Sequence, residues 1–74
     1  MNDTLARIVA DFDAAILLEL KQGGGEIDLV RVRDAADDRL RALKDGADAE
    51  QFEAIIAAAL EIGTKLDMAL AAIE

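Results

Sequence analysis

Three consecutive glycines, Gly23-Gly24-Gly25, break a chain that elsewhere repeats apolar side chains at helical spacing. Residues without Cβ atoms lose the most backbone entropy in a helix and admit positive φ, so a helix is expected to end there. Gly46 makes a second break, and no proline makes a third. The expected fold class is therefore all-α, with helices over about residues 4–22, 28–45 and 48–73 in one small domain of 74 residues. The glycine run is a turn or hinge between the first two. A phosphate-cradling loop is its functional alternative, but no strand precedes it and no Gly-Lys-Ser/Thr sequence closes it.

In the first segment Leu5, Ile8, Val9, Phe12, Ala15, Ile16 and Leu20 share one face, with Asp3 or Thr4 available as N-cap. Glu19 falls inside that face while Leu17 and Leu18 point elsewhere, so the end of this helix is apolar on more than one side. Asp28 is the expected N-cap of the second helix, with Ile27 and Val32 placed as a hydrophobic staple. Its apolar stripe is Leu29, Val32, Ala36, Leu40 and Leu43. Five of the eight bases, Arg31, Arg33, Arg39, Arg41 and Lys44, alternate here with Asp34, Asp37 and Asp38. Asp37 and Arg41 stand at the spacing of a helical ion pair. The pattern fits a solvated face of mixed charge, or a basic stripe that receives an acidic partner.

Asp48-Ala49-Glu50-Gln51 follows Gly46 closely and reads as a capping box. So short a connection predicts an antiparallel hairpin of the second and third helices. In the third, Phe52, Ala59, Leu66 and Ile73 recur every seven residues, and Ile55, Ile62 and Ala69 fill a second heptad position. The expected packing seam is Phe52, Ile55, Ile56, Ala59, Ile62, Gly63, Leu66 and Leu70, on a helix about 37 Å long at 1.5 Å per residue. Ala59 and Gly63, one turn apart, predict the close approach of another helix. Leu60 and Met68 lie off the seam and, with Leu17 and Leu18, are the expected intermolecular contacts.

A chain of this size seldom draws more than ~3–5 kcal/mol from one core unless disulfides, a metal or association help it. There is no cysteine or histidine to supply the first two, and only two phenylalanines to fill volume. Homo-oligomerisation, most often as a homodimer forming a four- or six-helix bundle and otherwise as a higher homo-oligomer, is therefore the leading expectation, with a monomeric three-helix bundle as the alternative.

Sixteen acids against eight bases give a net charge of −8, a field that repels phosphate backbones and argues against direct nucleic-acid binding. The surplus is concentrated in residues 48–74, which hold six acids and one base. Glu50, Glu53, Glu61 and Asp67 form the expected acidic surface. The longest apolar run, residues 54–60, is far short of the roughly 20 residues that span a bilayer. Met1-Asn2-Asp3-Thr4 lacks the basic opening of a signal peptide, and the absence of cysteine suits a reducing compartment, so a soluble cytoplasmic protein is expected.

With no His, Cys, Ser, Tyr or Trp, most side chains that carry acid–base or nucleophilic chemistry are missing. Asp11 and Asp13 diverge on a helix, as do Asp37 and Asp38. Asp45, Asp48, Glu50 and Glu53 gather near the second break without the order of a calcium-binding EF-hand, and no Glu-x-x-His motif marks a di-iron site. Thr4 and Thr64 supply the only hydroxyls, with no base motif beside them. No enzymatic activity, metal or cofactor is expected.

The leading expectation is a helical protein–protein interaction module, a small homo-oligomeric adaptor or structural protein whose apolar grooves hold a partner helix. One alternative is an acidic inhibitor of the anti-CRISPR or antitoxin-like kind, which would occupy a basic nucleic-acid-binding surface. A second comes from Leu43-Lys44-Asp45-Gly46-Ala47-Asp48-Ala49-Glu50-Gln51-Phe52-Glu53, which resembles the turn of the small helical-hairpin proteins that hold type III secretion needle subunits. That resemblance covers the hairpin and not the first helix, and it implies a secretion co-chaperone.

Overall fold

The computed structural model describes residues 2–74. Three helices, α1 (Asn2–Lys21), α2 (Glu26–Lys44) and α3 (Ala49–Ile73), run up, down and up in a rod of 39 × 16 × 16 Å. No strand occurs among the described residues. Short turns make α1–α2 and α2–α3 antiparallel neighbours, and α1 lies parallel to α3 across the core.

Each glycine of the first turn has a separate task. Gly23 takes φ +76°, a left-handed conformation that ends α1. The Gly23 N–H donates to the Leu20 carbonyl at 3.3 Å and the Gly24 N–H to the Glu19 carbonyl at 2.7 Å, the two bonds of a Schellman cap. A Cβ on Gly24 would stand 2.6 Å from a Glu19 carboxylate oxygen and 3.1 Å from the Glu19 carbonyl oxygen, so a side chain here would make Glu19 move aside and crowd the turn. Gly25 then serves as the N-cap of α2. The run is a tight turn that folds α1 back onto its own chain.

The start of α2 corrects the sequence reading. Asp28 is the third helical residue, not the cap, and its carboxylate reaches back to accept the Gly25 N–H at 3.0 Å. The helix thus begins two residues earlier, which turns Ile27 to solvent with 70% exposure and leaves no staple with Val32. At the other end of the chain α1 already includes Asp3 and Thr4 in its first turn, so neither is the N-cap. The second turn follows expectation: Gly46 has φ +81°, Asp48 accepts the Gln51 N–H at 2.8 Å, and Gln51 accepts the Asp48 N–H at 3.1 Å.

The core is wholly apolar, with no buried polar or charged residue among the described residues. Ile8, Phe12 and Ile16 of α1 join Leu29, Ala36 and Leu40 of α2 and Ile55, Ala58, Ile62, Leu66 and Ala69 of α3 in one buried cluster. Two ion pairs fasten α1 to its neighbours. Arg39 donates to Asp11 at 2.9 Å, and Lys65 to Asp13 at 2.6 Å. Within α2, Arg33 reaches both Asp34 and Asp37, and Arg41 pairs with Asp38 rather than with Asp37 as the spacing suggested.

Candidate interaction surfaces

Helix α3 packs against two helices, and this rotates its buried face away from the seam expected of a two-helix contact. The buried side chains are Ile55, Ala58, Ile62, Leu66 and Ala69, a stripe centred roughly 60° from the expected seam on a wheel of 3.6 residues per turn. Of the expected seam, Ile55, Ile62 and Leu66 lie in the core, Gly63 and Leu70 are half-buried, and Phe52, Ile56 and Ala59 are exposed. Ala58 takes a core place that sequence reasoning missed. The close helix approach expected at Gly63 is absent within the chain, because a Cβ built there meets no atom within 4 Å.

The rotation leaves apolar surface outside. Phe52, Ile56 and Ala59 of α3 form one wall of a groove whose other wall is α2, with Arg41 and Lys44 at its edge. Lys44 Nζ sits 5.7 Å from the centre of the Phe52 ring, an exposed cation–π contact. Leu60, 69% exposed, stands on the side of α3 opposite the core.

A second apolar groove lies between α1 and α3. Leu17 and Leu20 line one wall, Met68 and Ala72 the other, and the Lys65–Asp13 ion pair closes one end. Of the eight large apolar side chains that are exposed among the described residues, Leu17, Leu18, Ile27, Met68 and Ile73 belong to the end where α1 stops, α2 starts and α3 finishes. Leu18 and Ile27 are exposed at this same end and do not line the groove. The third groove, between α1 and α2, is bordered by Asp11, Asp28, Arg31 and Arg39 over a lining that includes Phe12, Ala15, Val32 and Ala36.

Glu50, Glu53, Glu61 and Asp67 are all exposed, on the arc of α3 away from the core. Lys65, the one base in this segment, is held by Asp13 and by Glu61 at 3.7 Å. The hydrogen bond that Lys65 donates to Asp13, with the charges of Asp13 and Glu61, outweighs desolvation and raises the Lys65 pKa above its ordinary 10.5. No three carboxylates converge as a metal cluster among the described residues, and Asp48 is engaged as a helix cap. Thr64 donates its hydroxyl to the Leu60 carbonyl at 3.0 Å, a bond within its own helix. No described helix is long and apolar enough to cross a membrane.

Comparison with known proteins finds no matching family model, curated protein or solved structure.

Proposed function

We propose that this chain is a helical protein–protein interaction module, a small homo-oligomeric adaptor that works in the cytoplasm and performs no chemistry of its own. The observation that carries the reading is the α1–α3 groove, where Leu17 and Met68 stand 58% and 68% exposed on facing walls beside Leu20 and Ala72. Apolar side chains left open in this way fit the face of an amphipathic helix, which would bind through residues spaced by three and four positions. The lack of His, Cys, Ser and Tyr in the sequence supports a binding role over catalysis.

A photo-reactive phenylalanine analogue placed at Leu17 or Met68 in cells tests this directly. The expected result is an adduct with one defined helical protein at both positions, lost on Leu20→Glu. A chain that forms no adduct at either position would overturn the reading.

The acidic-inhibitor reading keeps one observation in its favour: the outer arc of α3 presents Glu50, Glu53, Glu61 and Asp67, while Lys65 is neutralised within the chain. Neutralising those four acids should abolish binding to a basic target at low salt. Binding that survives the change rules charge mimicry out.

A further inference from the structure

We infer that a second copy of this chain packs on the α2–α3 side, with α3 against α3 of the partner, antiparallel about a twofold axis between Ala59 and Leu60. The inference rests on the interaction-module reading and assigns its first partner.

Shape supports this arrangement at the centre of the face. Ile56 projects from α3 with 44% exposure, while the space above Gly63 is empty to 4 Å. The two residues are seven positions apart, close to two helical turns, and so lie on nearly the same arc. A twofold midway between them seats Ile56 of each copy over Gly63 of the other. The contact is satisfied twice and closes at two copies.

Charge at the ends of α2 supports the same direction, against an opposing term at the rim of α3, where the twofold sets the exposed Glu53 of one copy near the exposed Asp67 of the other. Helix α2, which walls this side, carries Glu26 and Asp28 in its first turn and Arg41 and Lys44 in its last. The twofold that reverses α3 also reverses α2, bringing the basic last turn of one copy toward the acidic first turn of the other. A parallel arrangement would set like ends together. Lys44 and Arg41 already border the groove beside Phe52, at the edge of the proposed contact. The α1–α3 groove stays outside it, free for a different partner.

Because the natural sequence has no cysteine, engineered thiols report the register cleanly. Under mild oxidation Leu60→Cys should cross-link to itself across the axis. Ile56→Cys and Gly63→Cys should each remain single chains and cross-link only when mixed. Light scattering should give twice the 7.9 kDa chain mass for the natural protein and the single mass for Gly63→Leu. Circular dichroism should show Gly63→Leu unchanged in helix content, since the new side chain meets nothing in its own fold. A natural protein of 7.9 kDa, a Gly63→Leu variant that stays dimeric, self-cross-linking of Ile56→Cys, or a Leu60→Cys adduct with a different protein would each overturn the inference. Adducts at Leu17 and Met68 would survive all of those outcomes, so the failure of this dimer and the failure of the adaptor reading can be told apart.

Discussion

Lys65 Nζ lies 2.6 Å from Asp13 Oδ2, and this contact joins α3 to α1 across 52 positions of sequence. The hydrogen bond donated to the Asp13 carboxylate stabilises the charged ammonium and lifts the Lys65 pKa above 10.5. A group whose pKa is raised on folding contributes stability that is fully present below its unfolded pKa and lost as pH rises through the folded value. The melting temperature should therefore fall as the solution is titrated upward from 10.5, and Asp13→Asn should flatten that alkaline limb. Thermal denaturation of both proteins against pH checks this. Parallel alkaline limbs would mean that the contact does not persist in solution.

The core makes a second expectation quantitative. Ile62 is fully buried, and Ile62→Ala should cost about 2–5 kcal/mol through lost burial and the cavity left behind. Since a core of this size holds only ~3–5 kcal/mol, that variant should be largely unfolded. Leu60→Ala, at a site 69% exposed, should change the stability of the single chain by less than about 0.5 kcal/mol. Urea titrations at concentrations where the chain is monomeric make the comparison.

The three glycines of the first turn should respond differently to substitution. Gly23→Ala places a Cβ at φ +76° and should cost on the order of 1 kcal/mol. Gly24→Ala should also destabilise, through crowding against Glu19. Gly25 has extended backbone and open space, so Gly25→Ser should stabilise by about 0.5–1 kcal/mol through a better cap and a less flexible unfolded chain. Equal effects at all three positions, measured by chemical denaturation, would contradict the assigned tasks.

The second turn carries a sharper test of capping. Asp48→Ala removes the acceptor for the Gln51 N–H and should cost about 1 kcal/mol. Gln51→Ala should cost less, because the Asp48 N–H that it leaves is exposed to water. Amide hydrogen exchange over the first turn of α3 should accelerate in the first variant.

Much of this architecture can be read from local signals. Glycine runs and apolar periodicity act within a few residues, so the three helices and both breaks are visible without knowing what packs on what. Asp48 and Gln51 identify their own capping box for the same reason. The start of α2 is less legible because an aspartate serves equally well as a cap or three residues inside it, and only the folded turn decides which backbone N–H Asp28 accepts. The rotation of α3 is not local at all. Ala57, Ala58 and Ala59 offer three equal side chains to the core, and which one is buried depends on α1 and α2 together. The heptad reading assumed one neighbour where there are two, and so assigned Phe52, Ile56 and Ala59 to the packing seam that Ala58 shares in fact. Exposure of Leu17, Leu60 and Met68 agrees with their position off the main stripes.

An interior without a single buried polar side chain among the described residues has a consequence for how this fold tolerates change. Aliphatic side chains interchange at modest cost when volume is conserved, and they set no hydrogen bond that would hold one helix at a fixed height against another. The vertical alignment of the rod therefore depends on its two glycine turns and on the Asp11–Arg39 and Asp13–Lys65 pairs at its surface. Substitutions inside should drift freely among aliphatic residues of similar size, whereas a change of one residue in turn length would slide a whole helix and misalign every layer it touches.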